Sequence, residues 1–260
     1  MQTNLKSPDA PDRRHGGLTQ LRILSVDIGG TLIKASVINA DGEMLAPWVR
    51  NPTPQHATPD AVVSEIDRIA RDLPPYQKIS VAFPGVVSSG VVKTAPNLAA
   101  GAWYGHDFRS ALQAKFGCDV RILNDAIVQG LGVARGPGLE CVLTLGTGLG
   151  FALFRDGRFL VQLELGQNGR CGAQNFDEYV GHAAFVAEGA EEWNRRVEQT
   201  LGTIRNLATP DRILVGGGNA RRIEFALPSD IILFPMTAGI TGGARLWGDH
   251  SGSSLAMEFA

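Results

Sequence analysis

Two short stretches of this chain have residue types suited to holding phosphate. The first, Leu24–Ile38 (LSVDIGGTLIKASVI), places Asp27 at the end of an apolar run, followed by Gly29-Gly30, the Thr31 hydroxyl and the Lys34 ammonium. Paired glycines bring backbone N–H groups close to an anion, and the carboxylate can hold Mg²⁺ directly or through water. The same residues also suit an ordinary hairpin. The second stretch, Leu145–Gly150 (LGTGLG), repeats the pattern with Gly146, Thr147, Gly148 and Gly150. Between them stands Asn124-Asp125, where Asp125 can accept a hydroxyl proton and Asn124 can orient a hydroxyl; both residue types also favour helix N-caps. Gly216-Gly217-Gly218 follows an apolar run, as either a seat for a nucleotide or a site of close helix–strand packing. Glu164 ends another such run, where it either meets vicinal hydroxyls or faces solvent.

The elements that must carry these residues follow from periodicity. Strands are predicted over Arg22–Asp27, Ile33–Ile38 and Glu43–Val49, with Asp41-Gly42 turning the last pair. A helix is predicted from Pro59 to Leu73, because Val62, Val63, Ile66, Ile69, Ala70 and Leu73 share one face. Next come a strand at Lys78–Phe83, a short pair at Val86-Val87 and Val91-Val92, a loop over 94–105, a helix over Asp107–Phe116 and a strand at Val120–Leu123. The opening theme then recurs as Cys141–Leu145, Phe151–Phe154 and Arg158–Leu163. A helix over Glu191–Leu207, strands at Arg212–Val215 and Ile231–Phe234, a helix after Gly218 and a final helix from Ala238 complete the pattern. Two α/β lobes flanking a cleft account for it.

Composition narrows the function classes. At 260 residues, 44% hydrophobic and 19% charged, the chain can bury a substantial core. A net charge of −2 argues against a dedicated nucleic-acid binder. No apolar run nears the roughly 20 residues of a membrane span. Residues 1–20 are polar, without a signal-peptide core, and are expected to form a disordered arm. Cys118, Cys141 and Cys171 form no CxxC pattern, so reduced thiols and a cytoplasmic setting are expected.

Taken together and in order, DIGGTLIKASVI, AFPGVVSSGVVKTAPNL followed by Trp103, LNDAIVQGLG, LTLGTGLGFALFRDG, ILVGGG and AGITGGARLW resemble the ROK family of sugar kinases and sugar-responsive repressors. Within that family the likeness is to the short bacterial polyphosphate/ATP glucokinases. The resemblance implies an α/β, actin/hexokinase-like (ribonuclease H-like) duplicated two-lobed fold. An amino-terminal lobe over 21–123 would be completed by a final helix at 238–256, with the second lobe over 124–237. It implies ATP or polyphosphate as donor, Mg²⁺ as the donor's counter-ion near Asp27, and a hexose acceptor, with glucose ahead of mannose and N-acetylated hexosamines. It makes Asp27, Gly29, Gly30, Thr31 and Lys34 the first phosphate motif, Gly146–Gly150 the second, and Gly216–Gly218 the adenosine side. Asp125 becomes the catalytic base; Gly85, Asn97, Asn124, Glu164, Gln167 and Glu178 become sugar-side residues. A homodimer is implied.

The sequence departs from the family at Gln167, which stands where an E-x-G-H motif has histidine. Of the downstream zinc segment only Cys171 keeps a sulfur ligand, so no zinc site is expected. A polyphosphate donor would require a basic track, for which Arg155, Arg158, Arg195-Arg196 and Arg221-Arg222 are available, although each also suits solvated surface. A sugar sensor without catalysis and a filament or chaperone ATPase of the same superfold are the competing classes. The sensor would need a DNA-binding domain that the arm is too short to form.

Overall fold

The structure is a computed structural model, described here over residues 20–248. The expected arm before Gln20 and positions 249–256 of the expected final helix lie outside the described residues. Strands β1 (Arg22–Ile28), β2 (Leu32–Asn39) and β3 (Val49–Pro52) form an antiparallel meander, with Asp27 opposite Lys34. Helix α1 (Pro59–Ala70) is capped by the Thr58 hydroxyl and buries Val62, Ile66 and Ile69. Strand β4 (Lys78–Phe83) runs parallel to β1. A small hairpin, β5 (Val87–Ser88) and β6 (Val91–Val92), leads to α2 (Ala100–Trp103) and α3 (Phe108–Phe116). Strand β7 (Asp119–Asn124) pairs with β4, giving the order β3-β2-β1-β4-β7. The core beneath this sheet is anchored by Trp103, whose indole N–H donates to the Ala57 carbonyl at 2.6 Å.

Helix α4 (Asp125–Val133) starts where β7 ends. The same topology then repeats: β8 (Leu139–Leu145), β9 (Leu149–Arg155) and β10 (Arg158–Gln162) make a second antiparallel meander. After α5 (Leu165–Asn168), the hairpin β11 (Arg170–Cys171) and β12 (Gln174–Asn175), α6 (Phe176–Val180) and α7 (His182–Ala208), the chain adds β13 (Arg212–Gly216) and β14 (Ile231–Leu233) parallel to β8. The order β10-β9-β8-β13-β14 matches that of the first sheet. Helix α8 (Ala238–Thr241) and a 3₁₀ stretch, Gly242–Trp247, return to the first sheet. There Ser25 Oγ donates to Ile240 O and Ser80 Oγ to Gly243 O, each at 2.7 Å.

Four expected elements differ, each for a local reason. The third strand starts at Val49 rather than Glu43, leaving only an isolated Ile38–Met44 bridge. Asn39 Oδ1 accepts the Asp41 and Glu43 N–H groups, which tightens the turn, and Pro47 has no N–H for a ladder. The helix expected over Glu191–Leu207 forms and runs to Ala208, but a separate helical piece from His182 precedes it, set off by a break at Gly189 whose φ of 81° favours glycine. The segment after Gly218 makes only a 3₁₀ turn, Ala220–Arg222, because Asn194 takes the Arg222 carbonyl and the Glu224 N–H. The expected final helix gives way to 3₁₀ geometry at Gly242-Gly243, where α4 and the strands β1 and β4 press close.

That close approach sets the floor of the molecule. A Cβ on Gly242 would lie 1.9 Å from the Val128 carbonyl of α4, and one on Gly132 would lie 2.9 Å from the Ala238 carbonyl. Gly242→Ala is therefore expected to destabilise by ~3 kcal/mol in urea unfolding. Gly202→Ala on α7, where a Cβ meets nothing within 4 Å, is expected to be neutral or to stabilise by up to about 1 kcal/mol.

Candidate active site

A cleft of about 360 Å³ opens between the two sheets. From the first sheet, the β1–β2 turn presents Gly29, Gly30 and Thr31, closed by the Gly29 N–H donating to Leu32 O at 2.9 Å. Asp27 is buried behind the turn, with one oxygen 2.9 Å from Lys34 Nζ. From the second sheet, the β8–β9 turn presents Gly146, Thr147, Gly148 and Gly150. Its carbonyls are held from outside: the His182 N–H reaches Gly146 O at 3.0 Å and Asn219 Nδ2 reaches the same oxygen at 2.9 Å. The two turns nearly touch, since a Cβ on Gly30 would lie 3.1 Å from Thr147 Oγ1 and 3.2 Å from the Asn97 side chain. The N–H groups of both turns can therefore serve one anion.

The cleft floor is the β7–α4 junction. Asn124 is the N-cap: its Oδ1 accepts from Ala126 N at 2.8 Å and its Nδ2 donates to Gly85 O at 3.1 Å. Asp125, the first residue of the helix, lines the cleft, and its Oδ1 also accepts the Ala126 N–H at 2.9 Å. Asp125 is half-buried, at the edge of the cleft space. Burial, then the negative charge of Asp27, and more weakly that of Glu164, push its pKa up to about 7, against the opposing hydrogen bond from the Ala126 N–H. Glu164 is also pushed above the ordinary glutamate range, by burial and by Asp177, while a hydrogen bond from Gln162 opposes this.

On the acceptor side, Gln167 Nε2 donates to Asp177, whose other oxygen accepts the Leu149 N–H at 2.7 Å. Asp177 thus joins the second glycine turn to the Glu164–Gln167 segment. It fills the room left by two glycines: a Cβ on Gly148 or Gly166 would lie 2.3 Å from its Oδ1.

Most of the expected positions line this one cleft, namely Asp27, Gly29, Gly30, Thr31, Lys34, Gly85, Asn97, Asn124, Asp125, Gly146, Thr147, Gly148, Gly150, Glu164, Gln167, Gly217 and Gly218. Two do not. Glu178 forms a capping box with Asn175, accepting its N–H at 3.0 Å, so the neighbouring Asp177 is the carboxylate that faces the cleft. The N-x-x-E spacing of Asn175 and Glu178 is the signal that could have shown this. Gly216 ends β13 beneath Phe234, whose ring would lie 2.0 Å from a Cβ there, and does not line the cleft. Sequence reasoning also missed His182, Asn219 and Arg50, which carry no motif and reach the cleft through the fold.

Among the described residues no three His, Cys, Asp or Glu side chains are grouped to hold a metal unaided. Mg²⁺ needs less, because it keeps several waters and takes one or two carboxylates together with phosphate oxygens. Asp27, a buried hard-oxygen donor beside both glycine turns, fits that requirement.

The ROK family model matches residues 23–174. The polyphosphate glucokinase of Mycobacterium tuberculosis is 32% identical over 258 residues, covering 92% of this chain and 93% of that protein. The polyphosphate glucokinase of Mycobacterium leprae is 32% identical over 254 residues, covering 90% and 77%. Among solved structures, the inorganic polyphosphate/ATP-glucomannokinase from Arthrobacter sp. strain KM superposes with a TM-score of 0.80 at 29% identity, covering 86% of this chain and 97% of that one. A ROK family glucokinase from Streptomyces griseus, in complex with glucose and AMPPNP, superposes with a TM-score of 0.72 at 19% identity, covering 86% and 98%; that likeness speaks for the fold alone. The chain belongs to the ROK family and has its actin/hexokinase-like two-lobed fold.

Proposed function

We propose that this chain is a hexose kinase that transfers the terminal phosphoryl group of ATP or polyphosphate to the 6-hydroxyl of glucose or a related hexose. The observation that carries this reading is Asp125, a carboxylate that lines the cleft at the start of α4, between two facing glycine turns. The names of the relatives favour the same donor and acceptor classes. The lobes we assign run over 21–123, completed from 238 onward, and over 124–237. A small sugar is the expected partner, with a homodimer in the cytoplasm as the working form. No helix among the described residues is long and apolar enough to cross a membrane.

Asp125 accepts the proton of the sugar 6-hydroxyl as that oxygen bonds to the terminal phosphorus and the bond to the donor's bridging oxygen breaks. The N–H groups of the two glycine turns and Lys34 face the charge that spreads over the transferring group. When bound, Mg²⁺ would neutralise donor oxygens, held by Asp27 directly or through water. Glu164 is placed to accept hydrogen bonds from sugar hydroxyls, and Gln167 is held in one orientation by Asp177.

Asp125→Asn should lower turnover by about 10²–10⁴-fold while sugar and donor still bind in a calorimetric titration. Full turnover in that variant would remove the assignment. The same variant should be more stable at pH 8. With a pKa raised to about 7, Asp125 binds its proton more firmly folded than unfolded. Its contribution is therefore favourable at low pH and lost as pH rises through 7, a loss that asparagine escapes, worth roughly 3 °C in Tm.

Activity should follow the ionised base, so kcat/KM should rise through about pH 7 and level off above it. Glu164→Gln removes one of the charges that raise this pKa, and should move the acid limb of the remaining activity to lower pH. A limb that stays in place or moves upward would contradict the electrostatic assignment. Asp177→Ala should raise the KM for sugar by roughly ten-fold, because Gln167 and the Leu149 N–H both lose their partner; steady-state kinetics on a hexose panel checks this.

A further inference from the structure

Charge is divided within the cleft. The floor and the acceptor wall carry Asp27, Asp125, Glu164 and Asp177, whereas Arg50 enters from β3 and Arg221 and Arg222 from the turn after Gly218. Several arginines elsewhere are paired with a carboxylate, Arg68 with Glu65, Arg71 with Asp67, Arg205 with Asp230 and Arg212 with Glu140, whereas among the described residues Arg109, Arg135 and Arg245 are not. Arg195 and Arg196 hold Glu192 and do not line the cleft, nor do Arg155 and Arg158. Among the described residues Arg50, Arg221 and Arg222 have no carboxylate partner.

Arg222 is also fixed in place. Its guanidinium lies 4.1 Å from the centroid of Phe185, its carbonyl is held by Asn194 at 3.0 Å, and its buried Nε has no hydrogen-bond partner. Arg50 leans on Trp48, 5.7 Å from the ring centroid. A nucleoside is uncharged and gives such a set nothing to neutralise. A chain of phosphates offers negative charge at every unit, and planar guanidinium groups pair with phosphate oxygens in two-pronged fashion.

We propose that Arg50, Arg221 and Arg222 form an outer phosphate subsite that takes the trailing units of a polyphosphate donor, beyond the terminal group held between the two glycine turns. This rests on the kinase reading above. Of the basic residues available in the sequence, it selects Arg221-Arg222, adds Arg50 and discards the other pairs.

The test is an Arg50→Gln/Arg221→Gln double variant, assayed for glucose phosphorylation with long-chain polyphosphate and with ATP at matched salt. Both substituted side chains are exposed, which limits any effect on folding. The polyphosphate-to-ATP ratio of kcat/KM should fall by roughly ten-fold, and the salt dependence of polyphosphate use should become shallower. A ratio within about two-fold of wild type overturns the subsite, as does a wild-type protein that uses ATP alone. If wild type transfers phosphate from neither donor to any hexose, the kinase reading fails by itself. Calorimetric titration with long-chain polyphosphate then decides the subsite: binding weakened in the variant supports it, and equal binding or none in wild type overturns it.

Discussion

The contact between α4 and the glycine-rich C-terminal helix is the constraint on which the cleft depends. Because Gly132 and Gly242 have no side chains, the two backbones meet, and the start of α4 is carried to the seam between the sheets. The same short segment reaches the other side of the site: a Cβ on Gly239 would lie 2.8 Å from the Asp27 carboxylate carbon. One run, Ala238–Trp247, thus stands behind both Asp27 and the helix that bears Asp125. Ser25 and Ser80 pin that run to the first sheet through its carbonyls.

From this seam the chemistry follows. Burial in the cleft, with the negative charge of Asp27 added to it, pushes the pKa of Asp125 up to about 7. That is a poor arrangement for stability and a good one for a base that must remove a hydroxyl proton near neutral pH. The duplicated sheet supplies the rest. Each copy ends its first strand in a glycine turn, and the seam turns the two toward one another across a gap spanned by Thr147 and Gly30. Arg50, Arg221 and Arg222 line the same cleft as Asp27, Asp125, Glu164 and Asp177, with Lys34 paired to Asp27 among them.

Much of this could be read before the fold was seen, because the deciding residues are local. The glycine turns, the Asn124-Asp125 junction and the strand pairs around them depend on residue types a few positions apart. What escaped was decided at longer range or by a choice between neighbours. Asp177 and Glu178 are both acids at one helix start, and only the capping box of Asn175 separates their roles. Of the three expected adenosine-side glycines, Gly216, the first, lies off the cleft because Phe234, further along the chain, packs on it. Arg50 and His182 had no motif at all; the pairing of β3 with β2 brings Arg50 to the cleft, and the bond from the His182 N–H to the Gly146 carbonyl brings His182 there.

The central claim is that this cleft moves a terminal phosphoryl group onto a hexose. It is tested most directly by incubating the purified protein and Mg²⁺ with glucose and either ATP or polyphosphate, and reading the product by phosphorus NMR. The account predicts a single new phosphomonoester at the 6-position, formed only when sugar and donor are both present. Donor hydrolysis that proceeds at the same rate without sugar, or no turnover with any hexose, would contradict it.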